Sequence, residues 1–336
     1  LLVFSRVIKL FEAYFLLMKS VIDILGGRCL LEEMTDEKVR EFLESPRVVY
    51  AGFDPTSDSL QVGNLVTIMA LAHLLKAGHR IIALVGGATG MIGDPSGKSS
   101  ERNLLSEDQI RLNEEGVREN LTRILGRCGD VSSVTVLNNN DWLSKYSFID
   151  FLRDIGKHFR MGAMLGKESV RSRLSSEAGM SFAEFSYQLL QAYDFLELYD
   201  REKCCLQIGG SDQWGNITAG TDLVRRLRGA DVYGFTIPLL CDGSGQKFGK
   251  SEGNAVFLDE KKTSCYEFYQ FFFRAEDGDV IKLLKVFTFL SLDKIESYAV
   301  ELKKNPDERL AQRKLAEEVT RLVHGQEGLD KAMAAS

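Results

Sequence analysis

Three glycine-rich stretches hold the side chains best suited to chemistry: GFDPTSDSLQVGN (52–64), GGATGMIGDPSGKSSER (86–102) and GGSDQWGN (209–216). Glycine removes the side chain that would keep a ligand away from backbone N–H groups, and a helix starting after such a loop presents those groups to negative charge. One loop of this kind is an ordinary turn. Three in one chain, each holding Asp or Gln, point to a ligand site. The GKS at 97–99 is not a P-loop, because Ile92 stands where that motif needs its first glycine. Lys98 is then either a phosphate or RNA contact or a solvated loop residue. Two further segments matter. CDGSGQKFGKSEGNAVFLD (241–259) is rich in Gly, Ser and Lys and reads as a mobile loop. In YQLLQAYDF (187–195), Tyr187 and Gln191 are four apart and share one helix face, while Asp194 sits in the apolar run LLQAYDFLELY, which favours a buried, satisfied carboxylate.

Other chemistries are poorly served. Four histidines (His73, His79, His158, His324) leave no basis for catalysis by several imidazoles, and no nucleophile–histidine pair stands out. The six cysteines (Cys29, Cys128, Cys204, Cys205, Cys241, Cys265) lack C-x-x-C spacing and a nearby histidine pair, which speaks against zinc ribbons and a disulfide framework and fits a reducing compartment. The net charge is −6 with 27% charged and 44% hydrophobic residues, an ordinary globular balance and not that of a general nucleic-acid binder. No run of eighteen apolar residues is present to span a membrane.

The loops need a scaffold, and the apolar patterning supplies one. RVVYAGFD, RIIALVGG, VSSVTVLNNND, CCLQIGGSD and YGFTIPLL read as strands; 63–77, 107–127, 182–199 and 214–228 read as helices. Strand and helix in alternation predict an α/β, doubly wound, mostly parallel sheet, with ligands at the carboxyl ends of the strands. From Cys265 the periodicity becomes helical throughout, broken at Asp-Gly and Asn-Pro steps. The expected organisation is a leader or artefact over 1–17, an α/β domain over 18–245, a mobile loop and linker over 246–264, and a small all-helical domain over 265–336. The first seventeen residues fit an organellar targeting segment, a sequence artefact or a misplaced start; a secretory signal fits worst, for want of a small-residue cleavage pattern.

Together with YQLLQAYDF and KFGKS (247–251), the three loops resemble the tyrosyl-tRNA synthetase family of bacterial or organellar type, over about Val21 to Leu329. The resemblance implies a Rossmann-like catalytic domain that activates L-tyrosine with ATP, releases pyrophosphate and passes the tyrosyl group to the 3′ end of tRNA(Tyr), without a covalent enzyme intermediate. It implies that Tyr50 and Asp194 hold the phenolic hydroxyl, and that Asp94, Tyr187 and Gln191 grip the ammonium group. Gln207, Asp212 and Gln213, with Gly210, match the loop that touches tyrosine and the ribose. Gly52, Asp54 and Thr56 match the loop around adenylate and pyrophosphate, and Gly63 and Thr67 the nucleotide site. Lys247, Lys250 and Ser251 match the signature loop whose lysines meet pyrophosphate as charge develops. Magnesium would accompany ATP as a substrate ion, with no protein-caged metal. The family forms homodimers through an insertion, here about 148–182, whose Phe148, Phe151, Leu152, Met161 and Met164 suit an interface or a core equally.

Two departures stand out. Where the family usually has H-x-G-H, this chain has Gln61-Val62-Gly63-Asn64. Both amides keep N–H donors, but the longer Gln61 is less fixed, and losing one aimed donor costs roughly 3 kcal/mol of transition-state stabilisation. An active but slower enzyme is expected. Bacterial-type relatives also continue into a basic RNA-binding domain beyond the point where this chain stops, which leaves the stretches 157–173 and 225–229 either as RNA contacts or, equally, as ordinary surface charge. The competing readings are another adenylyl-transferring synthetase, which should lack the Tyr50 and Asp194 pair, and an RNA-binding homologue with weakened activity. The expected compartment is the cytoplasm, or an organelle if the leader is real.

Overall fold

The computed structural model describes residues 20–97, 105–175, 179–241, 248–251 and 254–336. The expectations for residues 1–17, for Lys98 and for Lys247 lie outside them.

Five parallel strands form one sheet: β1 (Val48–Phe53), β2 (Arg80–Val85), β3 (Val134–Asn138), β4 (Cys204–Gly210) and β5 (Tyr233–Ile237), in the order β3-β2-β1-β4-β5. The doubly wound arrangement follows from the apolar runs. Ile81 to Val85 are buried without interruption, as a strand covered on both faces must be. The chain steps outward from β1 to β3, then returns and continues from β4 to β5 on the other side. That reversal opens a crevice between the carboxyl ends of β1 and β4, where open α/β sheets bind ligands.

The Val62–Lys76, Glu107–Gly126, Phe182–Glu202 and Trp214–Arg228 helices match the expected spans to within a few residues. One stretch differs. Gly87–Ile92 in the second glycine-rich loop is a short helix, because the Asn139 side-chain oxygen accepts from the Ala88 N–H at 2.9 Å and supplies a partner for its first turn. The third loop tightens into a 3₁₀ turn at Ser211–Gln213.

Beyond Cys265 the chain is helical at Cys265–Phe273, Val280–Phe287, Leu292–Lys304 and Leu310–Ala334, with a further break at Gly325, whose φ of 79° lies in the left-handed region. These helices share one continuous core with the sheet: Phe268, Phe272, Phe287 and Leu315 belong to the same buried cluster as Leu65, Ile68 and Ile124. Guanidinium groups stitch the junction. Arg28 donates to the carbonyls of Lys285, Thr288 and Leu290, and Arg123 to those of Val323 and Leu258. No described helix is long and apolar enough to cross a membrane.

Candidate active site

A cleft of about 290 Å³ opens at the β1/β4 crevice. Its walls include Tyr50, Gly52, Asp54 and Thr56 from β1 and its loop, Gly63, Asn64 and Thr67 from the start of the Val62–Lys76 helix, and Asp94 from the second loop. Tyr187, Gln191 and Asp194 come from the Phe182–Glu202 helix, and Gln207, Gly210, Asp212 and Gln213 from β4 and its loop. Segments far apart in sequence thus converge because strand ends and one helix face point the same way.

One end of the cleft is shaped for a hydroxyl-bearing ring. Tyr50 is buried against Phe195, ring centroids 5.2 Å apart, and its Oη has no hydrogen-bond partner. Asp194, also buried, accepts from Trp142 Nε1 at 2.7 Å and from Asn139 Nδ2 at 2.9 Å. Burial pushes the Asp194 carboxyl up to about 7; the two donors oppose that rise, and Asp54 and Glu197 add to it. The Tyr50 hydroxyl is held well above its usual range, first by burial and then by Asp194.

The middle of the cleft is a polar mesh. Tyr187 Oη donates to Asp54 Oδ2 and Thr89 Oγ1 to Asp54 Oδ1, both at 2.8 Å; Thr89 in turn accepts from Asn139 Nδ2 at 2.9 Å. Asn139 therefore bridges the carboxylate at the phenol end to the one beneath the first loop. A Cβ on Gly86 would lie 2.0 Å from Asp54 Oδ1 and 2.4 Å from Thr89 Oγ1, so only glycine there permits this contact. Gln213 Nε2 donates to Asp94 Oδ2 at 2.6 Å, and Gln191 Nε2 to Gln213 Oε1 at 3.2 Å. Asn216 Nδ2 donates to both glutamines, at 3.1 and 3.2 Å. A carboxylate flanked by amide oxygens and a tyrosine hydroxyl suits an ammonium group.

Among the described residues the cleft wall holds Asp54, Asp94, Asp194 and Asp212 and no lysine, arginine or histidine. A polyphosphate entering here must bring or meet positive charge. The segment that would supply it packs beside the wall: Gly249, at φ 110°, stands over Gly63, where a Cβ would come within 3.2 Å of the Gly63 nitrogen. The Lys250–Ser251 strand then pairs with Asn254–Ala255, and Val62 N–H donates to Val256 O at 2.9 Å. Lys247 and the side chains of Lys250 and Ser251 lie outside the described residues.

Among the residues whose side chains are described, Gln61 is the expected site residue that the cleft does not include. It is the N-cap of the Val62–Lys76 helix and forms a bridge with Phe257, and its backbone N–H donates to Asn64 Oδ1 at 2.9 Å. That bond fixes the Asn64 amide by its oxygen and leaves the NH₂ as the group available to a ligand. Sequence reasoning missed Thr89, Ser96 and Asn139 on the wall and Trp142 behind it. The signal for Asn139 was its place directly after the strand TVLN; nothing in the residue order pairs Trp142 with Asp194.

Fold and site together define an α/β protein with a polar cleft at a topological switch point, walled by glycine-rich, nucleotide-type loops. A model of the tRNA synthetases class I (W and Y) matches residues 43–336. A Tyrosine–tRNA ligase of Protochlamydia amoebophila is 52% identical over 318 residues, covering 94% of this chain and 75% of that protein. One from Bacillus caldotenax is 53% identical over 315 residues, covering 93% and 75%. The crystal structure of a C-terminally truncated mitochondrial tyrosyl-tRNA synthetase from Aspergillus nidulans superposes with a TM-score of 0.86 at 32% identity, covering 95% of this chain and 93% of that one. The chain belongs to the class I tRNA synthetase family of the tryptophan and tyrosine type.

Proposed function

We propose that this chain is a tyrosine–tRNA ligase: it activates L-tyrosine with ATP and charges tRNA(Tyr). The observation that carries the tyrosine assignment is the placement of Tyr50 Oη and the Asp194 carboxylate on one cleft with the three glycine-rich loops. A phenol donates its proton to the carboxylate and accepts from Tyr50, whose hydroxyl is otherwise unpaired. Phenylalanine would leave the Tyr50 hydroxyl without a partner and bring no donor to the Asp194 carboxylate, which keeps only its bonds from Trp142 and Asn139, and an indole would not match this paired hydroxyl arrangement.

In the first step an oxygen of the tyrosine carboxylate bonds to the α-phosphorus of ATP. The bond from that phosphorus to the β-bridging oxygen breaks, and pyrophosphate leaves. In the second step a terminal ribose hydroxyl of the tRNA attacks the acyl carbon and AMP departs. Asp194 and Tyr50 orient the ring, Asp94 with Tyr187, Gln191 and Gln213 orient the ammonium group, and Gly52, Gly210, Asp212 and Thr56 line the adenylate side. The gain is one of positioning and fixed dipoles. Four carboxylates around the cleft support a cationic companion for the triphosphate: magnesium arriving with ATP, and Lys247 and Lys250 of the neighbouring segment.

The chain acts as a homodimer with tRNA reaching across it. Supporting this, Phe148, Ile149 and Phe182 in the 148–182 region are 64, 69 and 66% exposed, apolar side chains that an interface would cover. An α/β catalytic part to about 245 and a helical part from 265 remain the working domain division, and the cytoplasm the working compartment. Tyrosine-dependent exchange of pyrophosphate into ATP tests the activity. Size measurement of Phe148→Glu against the parent tests the dimer, a smaller species being expected.

A further inference from the structure

Outside the cleft, three groups from separate segments meet at the break in the last helix. Glu260 lies in the turn after Leu258, Cys265 opens the Cys265–Phe273 helix, and His324 is the last residue before the kink at Gly325. A carboxylate oxygen, the sulfur and an imidazole nitrogen all lie within 4.8 Å of one another, and Cys265 Sγ donates to Glu260 Oε2 at 3.4 Å.

The site is built, not a chance encounter on a surface. His324 is only 8% exposed, and neither ring nitrogen has a hydrogen-bond partner. A neutral imidazole has one donor and one acceptor, and a cation would meet the acceptor nitrogen, recovering that part of the cost of burying the ring unmet. Its ring is fixed edge-on against Phe268, centroids 4.7 Å apart. Gly328 makes the room: a Cβ there would stand 2.4 Å from His324 Cβ and 3.2 Å from Cys265 Sγ. Ser264 and Glu267 form a capping box that pins the first turn carrying Cys265. A surface hollow lined by Glu260, Ser264, Cys265 and Lys331 gives entry.

Charge permits a cation. Burial and Arg123 keep the imidazole neutral, its pKa lowered to about 4, so its lone pair is free. Arg123 and Arg127 spend donors on the carbonyls of Leu258, Leu322 and Val323, Lys331 pairs with Glu327 at 3.1 Å, and Asp259 and Glu260 oppose the guanidinium charge.

We propose that Glu260, Cys265 and His324 form a site for a zinc-class divalent cation, with solvent as fourth ligand, that ties the 259–265 turn to the helix kink at Gly325. On binding, the Cys265 S–H bond breaks, its proton passes to solvent, and the sulfur bonds to the metal as thiolate. Thiolate and carboxylate then balance the two positive charges. Tetrahedral zinc bond lengths place sulfur and nitrogen roughly 3.6 Å apart, and the sulfur and carboxylate oxygen already stand 3.4 Å apart, so only a small closure is needed. The sulfur and imidazole donors select against magnesium, which separates this ion from the one accompanying ATP, and the proposal stands independently of the tyrosine reading.

The test is titration of the full, metal-free chain with cobalt(II) in the presence of magnesium. The expected result is a thiolate-to-cobalt absorption band saturating at one equivalent and displaced by zinc. It is absent in Cys265→Ser, and in Glu260→Gln the dissociation constant rises about tenfold or more. Glu260 is exposed, so that variant keeps the fold, whereas a change at the buried His324 would also disturb packing. No band at equimolar cobalt overturns the proposal, as does a band that persists in Cys265→Ser, which would place the ion adventitiously on Cys29, Cys205 or Cys241.

Discussion

The indole nitrogen of Trp142 donates to Asp194 Oδ1 at 2.7 Å, and this bond aims a buried carboxylate at the end of the cleft where Tyr50 stands. Trp142 does not line the cleft itself; it positions the group that does. Trp142→Phe keeps most of the ring but removes a donor to the ionised carboxylate. Bonds to charged groups are worth about 1.5–3 kcal/mol. The Kd for tyrosine should therefore rise roughly ten- to a hundredfold, measured by equilibrium binding, with ATP binding little changed.

Tyr50→Phe should act in opposite directions on stability and specificity. Its hydroxyl is buried without a partner, so removing it relieves a desolvation penalty of about 1 kcal/mol or more. A thermal melt should show a higher Tm. Exchange kinetics should show a roughly tenfold higher KM for tyrosine and an unchanged one for phenylalanine.

Because burial lifts Asp194 to about 7, its ionised fraction grows as pH rises through neutrality. The ionised form accepts the phenol's proton, so tyrosine affinity should improve from pH 6 to pH 8 and level off above that. Asp194→Asn should flatten the profile. Trp142→Phe, lacking a donor that favours the charged form, should move the inflection upward.

Legibility followed the range over which the physics acts. Strands and helices depend on local apolar period, so β2 and the helix carrying Tyr187, Gln191 and Asp194 could be read directly. Glycine-rich loops at strand ends marked the cleft. The Trp142–Asp194 bond and the Thr89–Asn139 bridge depend on two segments meeting in space, which residue order does not encode. Gly87–Ile92 read as loop because its first-turn partner, Asn139, lies about fifty residues away. The same holds for the cysteines. Their spacing pointed away from a protein-held metal, yet folding brings Cys265 and His324 together with Glu260.

Asn64 and Gln61 divide the work at the start of the Val62–Lys76 helix. Asn64→Ala loses both the bond to the Gln61 N–H and the amide donor facing the cleft. Exchange should fall by roughly a hundredfold, with stability lower by about 1 kcal/mol. Gln61→His should speed exchange by adding a stiffer donor beside Asn64. An unchanged rate would assign the donor role to Asn64 alone.

Arg173 and Glu184 form an ion pair at 2.8 Å whose side chains are 3 and 4% exposed. Arg173→Met strands a buried carboxylate and should cost about 3–5 kcal/mol in urea unfolding. Adding Glu184→Leu should recover part of that loss by removing the unpaired charge, the remainder being the two bonds that Arg173 donates to the Gly179 carbonyl.

The most direct measurement is pyrophosphate exchange into ATP by the purified chain with tyrosine, phenylalanine or tryptophan, repeated with Asp194→Asn. The account predicts exchange that depends on tyrosine, is far weaker with the other two, and collapses in the variant. Exchange driven as well by phenylalanine or tryptophan, or undiminished in Asp194→Asn, would contradict it.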